Sequence, residues 1–239
     1  MAKVALITGS AVRLGREMAH HLAKNGWDIA LHYRTSTKDV AGFEAELKTG
    51  FPKQRFYTFQ ADLGVIDQTQ KLINQVIDRF GQLDLLINSA SIFESSSFKE
   101  TSAESLNRHT QVNLVSPFIL MRDFANNSSN GQIINIVDTR ITNNKSDYLS
   151  YSLSKKSLWE LTKMAALQLA PQFRVNAIAP GAILAPAGKD KHYLEEVADL
   201  TPMKTPSGVI SILKSIDYII GNEDLTGQLI FCDGGAQLL

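Results

Sequence analysis

A chain of 239 residues with 44% apolar side chains can bury the core of one large α/β domain, which excludes a disordered protein. Lys+Arg and Asp+Glu balance at 24 each, so bulk charge gives no nucleic-acid or membrane surface. Cys232 is the single cysteine, which excludes an internal disulfide and a cysteine metal cluster, and no metal site is expected. The apolar start before Thr8-Gly9 is too short for a signal-peptide core or a membrane span, and no other run is long enough to cross a bilayer. A soluble cytoplasmic protein is expected.

The first strand, predicted at 4–7, runs into Thr8-Gly9-Ser10-Ala11-Val12-Arg13-Leu14-Gly15 and then a helix at 14–25 that stops at Lys24-Asn25-Gly26. Gly9 permits a tight turn, Gly15 close helix packing, and the N–H groups at the helix start can bind a pyrophosphate aided by the helix dipole. Arg13 stands inside this loop, where a guanidinium could reach a phosphate or a substrate or simply face solvent.

A second strand at 29–33 ends in His32-Tyr33-Arg34-Thr35-Ser36. NAD-selective dinucleotide folds place an acid there for the ribose 2′-hydroxyl. Here no acid follows the strand, and Asp28 lies at its other end. Arg34 with the hydroxyls of Thr35 and Ser36 suits a 2′-phosphate instead, so NADPH is expected over NADH.

Next come a helix at 38–47, a strand at 55–60 leading to Asp62-Leu63, a helix at 68–80 and a strand at 83–88 leading to Asn88-Ser89-Ala90. A helix at 103–126 carries Asn113, and the polar loop at 127–131 precedes a fifth strand at 132–137. Asp138 follows that strand. A helix at 148–170 contains Tyr151 and Lys155, which share one face at i and i+4. A nearby ammonium would lower the phenol pKa from its usual value near ~10 and suit Tyr151 to proton transfer near neutral pH.

After a strand at 174–178, the stretch 180–206 holds Pro180, Gly181, Pro186, Gly188, Pro202 and Pro206 and reads as a long loop over a site. A helix at 207–220 and a strand at 228–232 complete the chain. Apolar strands alternating with helices predict a doubly wound α/β fold of about seven parallel strands in three αβα layers, forming one domain over 1–239 with a substrate loop at 182–206.

Thr8-Gly9…Gly15, Asp62, Asn88-Ser89-Ala90, Asn113, Tyr151…Lys155, Pro180-Gly181 and Asp233-Gly234-Gly235 together resemble the short-chain dehydrogenase/reductase family over the full length. The resemblance implies cofactor contacts from Gly9, Arg13, Leu14, Gly15, Tyr33, Arg34, Thr35, Ser36, Asp62, Leu63, Asn88, Ser89, Ala90, Tyr151, Lys155, Pro180 and Gly181. It implies that Lys155 also binds the nicotinamide ribose and that Asn113 helps hold a proton-relay water. A tetramer packed through its long helices is implied as well. The chain departs from the family at Arg13, where a glycine is usual, at Ala185, where a hydroxyl is frequent, at Ser89 and Ser91, and at Asp138, where a serine is usual.

The last departure bears on chemistry. A serine can donate to the oxygen that becomes negative in carbonyl reduction, whereas an ionised aspartate repels it. An imine nitrogen instead gains basicity and takes up a proton, which an Asp–Tyr couple could relay. Arg13, Arg34-Thr35-Ser36, Asp138 and Asn88-Ser89-Ala90-Ser91-Ile92-Phe93 together resemble the pteridine reductases, including the bacterial dihydromonapterin-reductase type. That resemblance implies a pterin stacked on Phe93 and lined by Arg13, Ser91, Asp138 and Tyr151. The expected activity is NADPH-dependent reduction of a 7,8-dihydropterin, with dihydrofolate a candidate and a place in folate metabolism. Catalytic roles fall to Asp138, Tyr151, Lys155 and Asn113. A carbonyl reductase of 3-oxoacyl thioesters and a non-catalytic dinucleotide-binding regulator stand as the alternatives.

Overall fold

In the computed structural model, residues 2–144, 147–183 and 192–239 are described. On β1 (Val4–Ile7) every side chain is buried, because both faces of the strand are covered. Val4 and Leu6 point into one apolar layer, and Ala5 and Ile7 into the other. The strands β2 (Asp28–Tyr33), β3 (Phe56–Gln60), β4 (Leu85–Asn88), β5 (Gly131–Ile136), β6 (Phe173–Pro180) and β7 (Leu229–Cys232) complete a parallel sheet of order β3-β2-β1-β4-β5-β6-β7.

Helices α1 (Arg13–Lys24) and α2 (Thr37–Gly50) cover one face, joined by the last helix, which runs Val209–Gly221. The other face is covered by α3 (Ile66–Phe80) and by helices at Ser116–Asn127 and Leu149–Leu169. This is the Rossmann-type three-layer arrangement expected from the sequence. The strand order reverses between β1 and β4, so their carboxyl ends diverge and open a crevice there.

Two elements differ from the sequence expectation. The helix predicted at 103–126 is three pieces: α4 (Ala103–Thr110), a π-helical turn at Gln111–Val115 and α5 (Ser116–Asn127). The π turn shifts the helical register at Asn113, which periodicity alone could not reveal. The stretch 180–206 is not simply a loop. It contains α7 (His192–Asp199), which lies between α6 (Leu149–Leu169) and α8 (Val209–Gly221) in the chain. Ala185, Pro186 and Gly188 lie outside the described residues.

Polar groups inside the sheet fix its end. Asp28 is buried and accepts the backbone N–H and the Nε of Arg55, each at 2.7 Å, so it ties β2 to the entry of β3. His32 is an unusual polar residue within an apolar strand. Its Nδ1 accepts the Gly9 N–H at 2.9 Å, and its Nε2 lies 3.1 Å from the carbonyl of Ala61. Only the neutral tautomer with hydrogen on Nε2 satisfies both contacts. Burial lowers the His32 pKa from 6.5 to about 4.

Protonation of His32 would set an N–H against the Gly9 N–H. The native state therefore binds fewer protons than the unfolded chain between those two values. Stability from this residue is complete above pH 6.5 and is lost as pH falls toward 4. At 1.36 kcal/mol per pH unit, this amounts to roughly 3 kcal/mol. Urea unfolding across this window should show that loss in the wild type, and His32→Gln should remove most of the slope.

Candidate active site

The crevice opens into a cleft of about 520 Å³ running from the end of β2 to α7. That volume suits a ligand of cofactor-plus-substrate type. Gly9, Ala11, Val12, Arg13, Leu14 and Gly15 form one wall. A Cβ at Gly15 would lie 2.2 Å from the carbonyl oxygen of Gly9, so only glycine lets α1 begin this close to the loop that precedes it. Val12, at the N-cap of α1, gives no side-chain hydrogen bond to the helix start. A ligand oxygen can take that place. Arg13 keeps the backbone of a glycine, with φ +54°. A non-glycine residue there carries a cost of order 1–2 kcal/mol, and such strain collects at functional loops.

At the far end of the cleft, Tyr33, Arg34, Thr35 and Ser36 form the rim, with Arg34 and Thr35 exposed. Asp62 and Leu63 face them from the end of β3. The described carboxylates in the wall are Asp62 and Asp138, and neither follows β2. Across the cleft, Thr8 Oγ1 accepts the N–H groups of Ser89 and Ala90 at 2.9 and 3.0 Å, which pins the turn after β4. Ser89, Ala90, Ser91, Phe93, Pro180 and Gly181 line the wall. Asn88 does not. Its amide is buried and donates to Asn135 Oδ1 at 2.8 Å.

Asn113 also lies behind the wall. Its Oδ1 accepts the Ser91 hydroxyl at 3.1 Å and the Ile92 N–H at 3.0 Å, while its Nδ2 donates to Ile92 O and to Ser154 Oγ. The side chain thus holds the Ser91–Phe93 turn against α6.

The chemically charged end of the cleft is built by β5 and α6. Asp138 caps the 3-10 turn at Thr139–Ile141, and its Oδ1 accepts the Arg140 N–H at 2.8 Å. The Tyr151 hydroxyl donates to Asp138 Oδ2 at 2.7 Å. The Arg140 guanidinium lies 3.4 Å from both carboxylate oxygens. Lys155 is buried and donates to the carbonyl of Ile136 at 2.7 Å, with its Nζ 5.8 Å from the centre of the Tyr151 ring.

This geometry reverses one expectation. The Tyr151 pKa is pushed well above 10, first by burial and then by the Asp138 carboxylate. Lys155 does not offset this, because its ammonium is turned to Ile136 O and burial lowers its own pKa to about 8. The pair is a phenol donating to a carboxylate, which can carry a proton but does not supply a phenolate.

Phe93 is 41% exposed and is therefore not a core residue. It stacks on Tyr148 with ring centres 4.3 Å apart and planes 10° from parallel, and meets Tyr151 edge-on at 4.7 Å. The Arg140 guanidinium sits 5.4 Å from the Phe93 ring and 5.1 Å from Tyr148. Arg140, Tyr148, His32 and the cleft-lining Tyr193 of α7 were not anticipated. A sequence signal existed for two of them. Arg140 follows Asp138 by two, the reach of a capping turn, and His32 interrupts an apolar strand. Among the described residues, no three His, Cys, Asp or Glu side chains gather where a metal ion could sit, and no helix is long and apolar enough to cross a membrane.

Comparison with known proteins agrees with this architecture. The solved structure of FolM alternative dihydrofolate reductase 1 from Brucella suis, in complex with NADP, superposes with a TM-score of 0.93 at 30% identity, covering 99% of this chain and 96% of that one. The dihydromonapterin reductase of Klebsiella pneumoniae is 28% identical over 98% of this chain and 96% of its own length. NADPH-dependent aldehyde reductase 1 from Arabidopsis thaliana chloroplasts is 30% identical over 98% of this chain and 86% of its own length. The sequence model of the short chain dehydrogenases matches residues 3–194, and the chain belongs to that oxidoreductase family.

Proposed function

We propose that this protein is an NADPH-dependent pteridine reductase that converts a 7,8-dihydropterin, of dihydrobiopterin or dihydromonapterin type, to the tetrahydropterin, with dihydrofolate as a second candidate substrate. The observation that carries this reading is the Asp138–Tyr151 hydrogen bond of 2.7 Å at the floor of an aromatic-walled cleft. A carboxylate in that place disfavours a developing oxyanion and favours a nitrogen that must gain a proton. The solved relative complexed with NADP and the dihydromonapterin reductases among the similar proteins support the same reading.

The chain fits the cofactor. The loop at Gly9–Gly15 leaves no room for a Cβ at Gly15 and is open to pyrophosphate oxygens. Arg13 and Leu14 belong to the same cradle. Arg34, Thr35 and Ser36 offer a guanidinium and two hydroxyls to a 2′-phosphate, with Tyr33 beside them. Asp62 and Leu63 take the adenine side, and Ser89, Ala90, Pro180 and Gly181 the nicotinamide side. Asn88 supports that wall from behind. When bound, NADPH supplies the hydride that C6 of the dihydropterin accepts.

The protein's own part is proton management and placement. Tyr151 holds the proton destined for N5, and Asp138, 2.7 Å away, is placed to relay it. Lys155 orients the ribose and anchors the end of β5. Asn113 fixes Ser91 and Phe93, and Phe93 offers a flat ring to the pterin. Tyr148 already stacks on one face of that ring, and Phe93 is still 41% exposed. Arg13 and Ser91 reach toward the substrate from opposite walls. The reading extends to one domain over 1–239 with 182–206 as the substrate loop. It also includes a cytoplasmic homotetramer assembled through α5 and α6, where Phe118, Leu153, Met164 and Leu167 are exposed.

NADPH oxidation assayed with dihydropterins, dihydrofolate and a panel of aldehydes and 3-oxoacyl thioesters tests the assignment, and turnover confined to the carbonyl panel would sink it. Tyr151→Phe should lower kcat by at least about a hundredfold while NADPH binding stays within a few-fold. Asp138→Ala should damage kcat more than cofactor affinity, and an unchanged kcat would remove Asp138 from the mechanism. Arg34→Ala should weaken NADPH about ten- to a hundredfold and leave NADH untouched, the worth of a charged hydrogen-bonded fork. Equal kcat/KM for NADH and NADPH in the wild type would contradict the assigned role of Arg34.

A further inference from the structure

The sequence Asp233-Gly234-Gly235 that follows β7 does not line the cleft. Its carboxylate is nonetheless buried, with 4% of the residue exposed. Asp233 Oδ2 accepts the Thr139 hydroxyl at 2.5 Å and the Gln237 N–H at 2.9 Å, and Oδ1 accepts the Gly235 N–H at 3.0 Å. Thr139 is the residue between Asp138 and Arg140 and is itself outside the cleft wall. The same segment holds two other cleft elements. A Cβ on Gly181 would lie 2.9 Å from Asp233 Cα, and the Gly181 N–H donates to Cys232 O at 3.0 Å. The end of the substrate loop joins it through the Met203 N–H, which donates to Gly234 O at 3.1 Å.

We propose that Asp233 is a positioning residue, a buried strut that acts through Thr139 to hold Asp138 against Tyr151. The inference rests on the reading of Asp138 as part of the proton relay. Its physical basis is the cost of a buried carboxylate that loses a donor. If the Thr139 turn rotates, Asp233 loses the Thr139 hydroxyl. The backbone N–H of Arg140, the next residue along the same turn, then leaves Asp138. The two carboxylates are thus coupled through one short 3-10 turn, with Asp138 on the cleft side and Asp233 behind. A displacement of about 1 Å at a reacting group costs up to a hundredfold in rate, so a strut of this kind acts on turnover far more than on affinity.

Thr139→Val removes the hydroxyl with little change in shape, and Thr139→Ser keeps it. In the full-length protein with NADPH and a dihydropterin, Thr139→Val should lower kcat about ten- to a hundredfold. Its dissociation constant for NADPH should stay within about twofold. Thr139→Ser should restore kcat.

Wild-type kcat in Thr139→Val would overturn the strut. So would a parallel loss of NADPH binding and thermal stability that Thr139→Ser fails to restore, since that marks a general structural role. Asp138→Ala assayed alongside separates the two failures. If it retains full kcat, the relay reading falls and takes the strut with it. If it loses kcat while Thr139→Val does not, the strut alone is wrong.

Discussion

A phenol and a carboxylate held 2.7 Å apart in a buried place constrain everything around them. The carboxylate needs donors, and Asp138 has three kinds: the Arg140 N–H, the Arg140 guanidinium and the Tyr151 hydroxyl. Those donors come from the 3-10 turn and from α6, which packs against it. The end of β5, the Thr139 turn and α6 must therefore keep one relative placement or leave a buried charge unsatisfied. Burial first, and then this pairing, raise the Tyr151 pKa, so the site stores a proton on oxygen and does not expose a base. A reductase of a basic, nitrogen-containing double bond needs that stored proton. A ketone reductase would rather have a neutral donor where Asp138 stands.

The glycine-loop end of the cleft is constrained in a similar way. His32 joins the glycine loop to β2 and to the end of β3 through two hydrogen bonds that require its neutral form. Arg13 accepts a left-handed backbone in a loop where glycine would be unstrained. Keeping an arginine there at such a cost is understandable if the guanidinium serves the ligand, as the proposed reading holds. Both residues depart from what local propensity favours, and both sit against the cleft.

Much of this was legible in the sequence because the signals were local. Apolar runs separated by helical periods indicated the seven strands and their parallel sheet, since parallel strands buried on both faces need no alternation. Glycine spacing placed the tight loop that opens α1, and the i, i+4 spacing placed Tyr151 beside Lys155. The rest depends on distant contacts. The direction of the Tyr151 shift is set by burial and by the aim of the Lys155 ammonium, which spacing does not encode. The π turn at Asn113 and the helix inside 180–206 interrupt regular periodicity. Arg140 and Tyr148 reach Phe93 only after the chain has folded back across some fifty residues. Asn88 carries the expected residue type but turns to Asn135, a pairing between neighbouring strands invisible until the register is known.

The central claim is that the carboxylate at position 138 sets the kind of bond this enzyme reduces. Replacing Asp138 by serine and measuring kcat/KM for a dihydropterin and for a carbonyl substrate, both with NADPH, tests it most directly. The account predicts that the wild type prefers the dihydropterin and that Asp138→Ser moves the ratio toward the carbonyl by at least about a hundredfold, the worth of one donor at a developing oxyanion. A ratio unchanged by Asp138→Ser would contradict it.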